Sequence, residues 1–174
     1  MKPPYVVVCF RFDSLIIFPS EACFIFRGCG GTSLIQVLGW VRHMRIGVDL
    51  GGTKIEGIVL DSSGSICARQ RVITPRGDYA ATVVGIRDLV TALERDAGLS
   101  KQLPVGVGIP GTVSPTTDLI KNANSTCLIG ERLNRDLESA LGRPVRLAND
   151  ADCFAISEAV DGAGAGHKVV FGVI

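Results

Sequence analysis

Residues 45–54 read Arg-Ile-Gly-Val-Asp-Leu-Gly-Gly-Thr-Lys, a short apolar run followed by two glycines and two polar side chains. The run Arg45–Leu50 is typical of a buried strand, because it is short and contains β-branched residues. Gly51 and Gly52 then stand where the chain must turn, and glycine adopts the backbone angles that tight turns require. An alternating pattern over residues 53–60 predicts the returning strand of a hairpin.

The same hairpin carries groups that suit an anion and a magnesium ion. The N–H groups of Gly51 and Gly52 are not shielded by side chains, so an anion can approach the main chain closely. Thr53 adds a hydroxyl donor, Lys54 adds a cation, and Asp49 can hold Mg²⁺ directly or through water. We therefore predict an anion-binding hairpin. An ordinary hairpin, in which the glycines serve only the geometry of the turn, is the alternative.

Beyond the hairpin the sequence predicts an alternation of strands and helices. Turn residues at 61–64 lead to a third strand, Ile66–Ile73, so the first three strands form an antiparallel meander. Apolar residues at helical spacing predict two helices, the first ending at Gly98 and the second at Gly142. Further strands are predicted over Val105–Ile109, 145–148 and 169–174, and a further helix over Asp150–Val160.

Composition limits the classes of protein to which the chain can belong. Its 174 residues are 47% hydrophobic and 20% charged, which is typical of one globular domain. A net charge of +1 gives no electrostatic footprint for nucleic acid or for an anionic membrane, and no apolar run is long enough to span a bilayer. Six cysteines without zinc-type spacing predict reduced thiols in the cytoplasm.

The composition changes abruptly at Met44. Residues 1–43 hold short apolar bursts, and the single tryptophan, Trp40, lies among them. The first apolar run is too short for a secretory signal, and the segment is too short to form its own core. We expect a non-homologous extension ahead of a functional start at Met44. One or two extra strands packed on the body of the domain are the alternative.

A glycine pattern at Gly106–Gly111 matches the dinucleotide motif Gly-x-Gly-x-x-Gly. A true motif of that kind opens a helix, which receives the pyrophosphate at its N-terminus. Residues 112–117 contain Ser-Pro and show no helical period. We therefore reject the dinucleotide interpretation.

Polar residues also stand where the predicted strand 145–148 meets the helix that follows it. Asp150 at this junction is a candidate general base for a substrate hydroxyl. The alternative is that Asn149 or Asp150 only caps the helix, as such residues commonly do. Residues 122–126, Asn-Ala-Asn-Ser-Thr, are rich in hydrogen-bonding side chains that suit a polyol.

Taken in order, these segments resemble the ROK family of bacterial sugar kinases and sugar-responsive repressors. The resemblance covers essentially everything after residue 43 and is carried by residues 44–54, 106–111, 121–126 and 146–152. Residues 113–115, 121–126 and 157–162 look most like the fructokinase, or manno(fructo)kinase, branch. The neighbouring N-acetylglucosamine kinases usually carry a different segment after the position of Asn124.

The resemblance implies an α/β fold: one lobe of an actin-like (ribonuclease H-like) ATPase with a mixed sheet flanked by helices. Residues 44–148 would form the amino-terminal lobe of a kinase. Residues 149–174 would begin the second lobe, which is cut before it is complete. The family's second phosphate loop, zinc site and adenosine pocket would lie beyond Ile174, so no metal ligands of that zinc site are expected here.

The resemblance also assigns roles to individual residues. The residues for the ATP phosphates and Mg²⁺ are those of the hairpin: Asp49, Gly51, Gly52, Thr53 and Lys54. The sugar would lie beneath Gly111, held by Asn124 and Asn149. Asp150 would be the catalytic base that activates the sugar's 6-hydroxyl for in-line attack on the γ-phosphoryl group.

The expected function is ATP- and Mg²⁺-dependent phosphorylation of a hexose, with fructose converted to fructose 6-phosphate. The partners would be the sugar and ATP, with no nucleic acid and no membrane, in a cytoplasmic enzyme that is a homodimer when the chain is full length. The 174-residue chain by itself is expected to be inactive. The alternatives are a ROK transcriptional regulator, for which residues 1–43 lack a winged helix-turn-helix, and a non-catalytic remnant.

The expected start at Met44 gives a first testable outcome. When the chain is completed by a carboxyl-terminal half, removal of residues 1–43 should leave its melting temperature and turnover unchanged, because the segment is expected to lie outside the core. Thermal denaturation and a coupled kinase assay on both forms measure this. A melting temperature lower by many degrees would show that the segment is part of the core.

Overall fold

The computed structural model of the chain describes residues 8–11, 14–17, 44–100, 102–160, 162–167 and 169–172. Strands β1 (Val8–Arg11) and β2 (Ser14–Ile17) pair antiparallel in a two-stranded sheet of their own. The rest of residues 1–43 lies outside the described residues. The interpretation of this segment as an extension ahead of Met44 therefore stays a prediction.

The body of the domain follows the predicted alternation of strands and helices. Its elements, in chain order, are β3 (Arg45–Leu50), β4 (Lys54–Leu60), β5 (Ile66–Ile73), α1 (Tyr79–Asp96), β6 (Val105–Ile109), β7 (Thr112–Val113), β8 (Ile120–Lys121), a 3₁₀ turn (Thr126–Leu128), α2 (Leu133–Leu141), β9 (Val145–Asn149) and α3 (Asp150–Val160). Gly98 and Gly142 take left-handed φ angles of 62° and 65° at the ends of α1 and α2, as their helix-stop pattern predicts.

A five-stranded mixed sheet forms the centre of this body, in the order β5-β4-β3-β6-β9. Strands β3, β4 and β5 are the predicted antiparallel meander. Strands β6 and β9 continue the sheet parallel to β3. Because β4 alone runs in the opposite direction, the carboxyl ends of β3, β5, β6 and β9 all lie at the same edge of the sheet.

A hydrophobic core lies between the sheet and helices α1 and α2. On β4, Gly57 allows α1 to approach closely, since a Cβ atom there would lie 2.6 Å from Leu93 Cδ1 and 3.3 Å from Leu89 Cδ2. The helices contribute their apolar faces at three- and four-residue spacing. Fully or almost fully buried side chains of this core include Ile46, Val48, Ile86, Leu89, Leu93, Val105, Val107, Leu133 and Leu137.

The structure corrects the predicted elements in two places. Residues 169–172, predicted as most of a strand, have no regular structure. A strand is stabilised by hydrogen bonds to a neighbour, and none of the described strands pairs with these residues; positions 173 and 174 lie outside the described part. The short hairpin β7–β8 was not predicted, because two-residue strands carry too little pattern. Among the described helices, none is both long and apolar enough to cross a membrane.

A buried ion pair connects α1 to the turn before β9. The Arg143 guanidinium donates to both carboxylate oxygens of Glu94, at 2.9 Å for Nη2, and also to the Leu103 carbonyl at 3.2 Å. The side chains of Arg143 and Glu94 are only 7% and 17% exposed. Removing one partner of such a pair leaves a charge without compensation in a poorly solvated place.

We expect Arg143→Ala to lower the free energy of unfolding by about 2–4 kcal/mol, because Glu94 would lose its counter-charge. Chemical denaturation measures this. Arg146→Ala is the matched control, since its side chain is 65% exposed and its Nη1 lies 3.9 Å from Glu138 Oε1. The control should lower the free energy of unfolding by less than about 1 kcal/mol. Equal losses in the two variants would contradict the assignment of a structural role to the Arg143 pair.

Candidate functional site at the carboxyl ends of the strands

A cleft of about 490 Å³ opens at the sheet edge where β3, β5, β6 and β9 end. The register aligns these ends, since Asp49 pairs with Gly108 and Ile109 pairs with Asn149. In open α/β sheets, ligands bind beyond the carboxyl ends of the strands. The cleft is lined by residues 50–52 after β3, 74–77 after β5, Thr82 of α1, Pro110 after β6, segment 124–128 and Asp150.

The structure brings four of the residues with predicted roles onto this cleft: Gly51, Gly52, Asn124 and Asp150. Five others are not among the residues that line it: Asp49, Thr53, Lys54, Gly111 and Asn149. The cation expected at Lys54 is thus not among the residues that line the cleft.

The glycine hairpin is held by a threonine from the next loop. Thr74 donates its hydroxyl to the Gly51 carbonyl at 2.7 Å and its N–H to the Thr53 carbonyl at 3.1 Å. The Gly51 N–H donates to the Lys54 carbonyl at 3.0 Å, so it is already used inside the turn. At Gly52 a Cβ atom would make only an ordinary contact, with Ser125 Oγ at 3.8 Å, and Gly52 lines the cleft. Of the two glycines, Gly52 is the one whose main chain an anion can approach.

Asp49 is a half-buried carboxylate in an unfavourable electrostatic position. Burial, followed by the charges of Asp150 and Glu56, raises the pKa of Asp49 to about 6, while Lys54 acts weakly in the opposite direction. The influence of Asp150 shows that the two candidate carboxylates face the same region. A strongly perturbed carboxyl group beside a cleft is typical of a functional site.

Glu56 lies directly across from Asp49 in the β3–β4 ladder, and two arginines of β5 neutralise it. Arg69 Nε donates to Glu56 Oε1, and Arg71 Nη2 donates to Glu56 Oε2 at 2.8 Å. Partial burial raises the pKa of Glu56, but the hydrogen bonds and charges of Arg69 and Arg71 outweigh burial and bring it below its usual value. The counter-charges on β5 are therefore committed to Glu56.

The side chain of Asn149 caps helix α3. Its Oδ1 accepts from the N–H groups of Ala151 at 3.0 Å and Asp152 at 3.2 Å, while its Nδ2 donates to the Gly111 carbonyl at 2.8 Å. These are the second and third N–H groups of the helix, which an N-cap side chain satisfies. Asn149 thus provides the cap for two N–H groups. Asp150 occupies the first position of the helix and lines the cleft, and its Oδ1 also accepts from the Ala151 N–H at 2.8 Å.

Gly111 is required for a close approach between two loops. A Cβ atom at Gly111 would lie 2.9 Å from Ala123 Cβ and 3.0 Å from the Lys121 carbonyl oxygen. The absence of a side chain lets the residues after β8 pack against the end of β6. This contact holds the polar segment that contains Asn124 at the wall of the cleft.

Arg76 is a cleft residue that the sequence analysis missed. Arg76 and Asp150 are the two charged residues among the described residues that line the cleft. The predicted meander could have indicated the position of Arg76, because the third strand of a meander ends at the same sheet edge as the first. The loop after β5 must therefore lie beside the glycine hairpin.

The donor set fits a magnesium ion. Among the described residues, no three His, Cys, Asp or Glu side chains are grouped closely enough to hold a metal by themselves. Mg²⁺ does not need such a group, since it keeps several waters and binds through one or two carboxylates and substrate phosphates. Asp49 would hold it, and a nearby cation would offset the unfavourable charge that raises the pKa of this residue. Bound there, Mg²⁺ would neutralise phosphate charge.

A mixed sheet flanked by helices, with a glycine hairpin and a carboxylate at the carboxyl ends of its strands, defines one lobe of an actin-like sugar-kinase fold. The chain belongs to the ROK family, whose family model matches residues 45–174.

Relatives of known name or structure agree with this assignment. The chain is 41% identical over 131 residues to the N-acetyl-D-glucosamine kinase of Pectobacterium carotovorum, a match that covers 75% of this chain and 42% of the relative. A glucomannokinase of Arthrobacter that uses inorganic polyphosphate or ATP has a TM-score of 0.62 at 32% identity, covering 72% of this chain and 51% of that one. A glucokinase of Streptomyces griseus, in complex with glucose and AMPPNP, has a TM-score of 0.58 at 34% identity, covering 71% and 38%.

The chain spans about two fifths of the length of the curated relatives that it matches. The expected fructokinase branch is not confirmed, because the relatives described here carry the names of N-acetylglucosamine, glucose and mannose kinases. What the comparisons establish is membership of a family of sugar kinases.

The raised pKa of Asp49 predicts a pH-dependent effect of Asp49→Asn on stability. The pKa of Asp49 in the folded chain lies above its usual value. The protonated carboxyl therefore contributes stability in acid, and this contribution is lost as the pH rises through about 6. The amide of the variant does not titrate. Between about pH 4 and pH 8, the free energy of unfolding of the variant should therefore rise by about 1–2 kcal/mol relative to that of the wild type. Thermal melts across this range measure the difference.

Asp88→Asn is the control for this experiment, because Asp88 is exposed on α1 and pairs only with the exposed Arg87. The control should show little change at either end of the pH range. A difference between Asp49→Asn and the wild type that is constant with pH would show that the Asp49 carboxyl does not titrate with a raised pKa.

Proposed function

We propose that this chain forms the phosphate-binding and base-bearing part of an ATP-dependent hexose kinase. The observation that carries the proposal is the meeting of Gly52, Asn124 and Asp150 on one cleft at the carboxyl ends of the strands. Gly52 and Asn124 are far apart in the sequence, as are Asn124 and Asp150, and only the fold brings them together. An anion-binding turn, a polar wall and a carboxylate are the parts that phosphoryl transfer to a hydroxyl group requires.

Each part has a distinct task in this mechanism. Phosphoryl transfer is mostly positioning and stabilisation of charge, so the main chain at Gly52 would hold the phosphates of ATP. Asn124 would hydrogen-bond the hydroxyl groups of the sugar. Asp150 would accept the proton of the attacking 6-hydroxyl as the new oxygen–phosphorus bond forms and the bond from the γ-phosphorus to the bridging oxygen breaks, with ADP as the leaving group. Its position at the start of α3 suits a carboxylate, because a helix N-terminus favours negative charge.

For the acceptor sugar, the names of the relatives support N-acetylglucosamine first. Relatives of that name are 39–41% identical over 131 residues. Fructose is the competing acceptor, supported by the resemblance of residues 113–115, 121–126 and 157–162 to the fructokinase branch. Since the relatives are named as kinases, they favour the enzyme over the transcriptional regulator. The cytoplasmic location, the homodimer and the zinc site beyond Ile174 stay predictions.

Two measurements test the proposed activity. Calorimetric titration of the 174-residue chain with N-acetylglucosamine, glucose and fructose tests whether the cleft binds a sugar. Fusion of the chain at Ile174 to the part of the Pectobacterium kinase that follows its matched segment tests turnover, with release of ADP as the readout. Binding of none of the sugars together with an inactive fusion would contradict the proposal.

In the active fusion, we expect Asp150→Asn to lower kcat by roughly 10²–10⁴-fold, because it removes the proton acceptor for the sugar hydroxyl. This loss corresponds to about 3–5 kcal/mol in activation free energy. The melting temperature should stay unchanged, since the Asn149 cap is kept and an asparagine at position 150 can still accept from the Ala151 N–H, as Asp150 Oδ1 does at 2.8 Å.

Asp152→Asn makes the same chemical change at an exposed position two residues further along α3, and it should keep its rate. Asn149→Ala should instead lower stability by about 1 kcal/mol through loss of the cap. A fully active Asp150→Asn enzyme would remove Asp150 from catalysis.

A further inference from the structure

Arg76 is an exposed cation at the cleft, and no carboxylate of the described residues pairs with it. Other arginines form ion pairs with carboxylates, for example Arg71 with Glu56 and Arg143 with Glu94. Arg76 makes no ion pair with any residue that the structure describes. It lines the same cleft as Asp150 without forming an ion pair with it.

The backbone that carries Arg76 is anchored on both sides. On one side, Thr74 is bonded to the glycine hairpin at the Gly51 and Thr53 carbonyls. On the other, Asp78 caps α1 by accepting from the Ala81 N–H at 2.9 Å, and its own N–H donates to the Pro75 carbonyl at 3.3 Å. Gly77 takes a φ of 74°, which allows the tight turn between them. The loop therefore holds Arg76 at a fixed place relative to Gly52.

Charge balance in the cleft points to an anionic ligand beside Arg76. Asp150 lines the cleft and Asp49 lies close enough for the two carboxylates to affect each other. A phosphate that enters this region meets negative charge, and Lys54 is not on the cleft surface to offset it. A guanidinium group suits the task, because its planar fork binds two phosphate oxygens at once.

We propose that Arg76 binds the phosphoryl group that is handled in this cleft, and that it discriminates phosphorylated from unphosphorylated ligands. This inference rests on the proposed kinase function and assigns a further binding residue to it. The chemistry that Arg76 recognises is a phosphate ester or phosphoanhydride. Its source is either the terminal phosphate of the donor or the 6-phosphate of the sugar product.

Calorimetric titration of the 174-residue chain separates these sources with three probes: inorganic tripolyphosphate for the donor, N-acetylglucosamine 6-phosphate for the product, and N-acetylglucosamine without phosphate. Arg76→Ala should weaken binding of one or both phosphorylated probes by about 10- to 100-fold, the range for a hydrogen bond between charged groups. Binding of the unphosphorylated sugar should stay within about twofold of the wild type. Arg76→Lys should restore part of the affinity, because it keeps the charge but not the fork.

Arg95→Ala is the matched control, since Arg95 is 76% exposed on the last turn of α1 and its ion-pair partner among the described residues is its neighbour Asp96. It should leave all three affinities unchanged. If Arg76→Ala loses affinity for tripolyphosphate alone, Arg76 binds the phosphate of the donor. If it loses affinity for the sugar phosphate alone, Arg76 binds the phosphate of the product. Either outcome supports the inference.

Three outcomes overturn the inference: phosphorylated probes that bind equally well to Arg76→Ala, phosphorylated probes that do not bind the wild type, and an equal loss for the unphosphorylated sugar. The proposed function is tested separately in the same titrations. If phosphate binding depends on Arg76 but no hexose binds and the fusion is inactive, the inference stands and the sugar-kinase proposal fails. If the sugar binds and phosphate binding does not depend on Arg76, the sugar-kinase proposal stands and the inference about Arg76 fails.

Discussion

The Asn149 side chain connects the three segments on which one wall of the cleft depends. Its Oδ1 caps α3, which fixes the start of the helix and with it Asp150. Its Nδ2 holds the Gly111 carbonyl, and Gly111 in turn packs against Ala123, next to Asn124. One amide therefore determines where the carboxylate and the polar segment lie relative to each other. Because both Oδ1 and Nδ2 of Asn149 make hydrogen bonds within the protein, the main contribution of this side chain is to position the other residues of the site.

The opposite wall is organised by Thr74 in the same way. Its hydrogen bonds to the Gly51 and Thr53 carbonyls connect the loop after β5 to the glycine hairpin. The glycine turn and the loop that carries Arg76 are thus bonded to each other. Because β3 and β5 run in the same direction with β4 between them, the meander places both segments at one sheet edge. The topology supplies the proximity, and Thr74 supplies the fixed geometry.

The sequence predicted the fold better than it predicted the donors in the site. Short apolar runs and helix-stop glycines located the meander, α1 and α2, since these signals are local. The N-cap could not be assigned between Asn149 and Asp150, because both residue types cap and only the contact with Gly111 separates them. The pair of glycines predicted two N–H donors, but the Gly51 N–H is used by Lys54. Arg76 has no local pattern, and its role follows from strand order alone.

The electrostatics of the site explain why a stable lobe retains an unfavourable carboxylate. Burial and two neighbouring negative charges raise the pKa of Asp49, which means that its ionised form costs free energy in the folded chain. The arginines of β5 do not relieve this cost, since both are bonded to Glu56. The arrangement leaves Asp49 in need of a mobile cation and leaves Arg76 without a fixed anion. Under the proposed function, magnesium with a phosphorylated ligand would satisfy both needs at once. The charges that raise the free energy of the ionised Asp49 carboxyl would then favour the binding of a metal–phosphate complex.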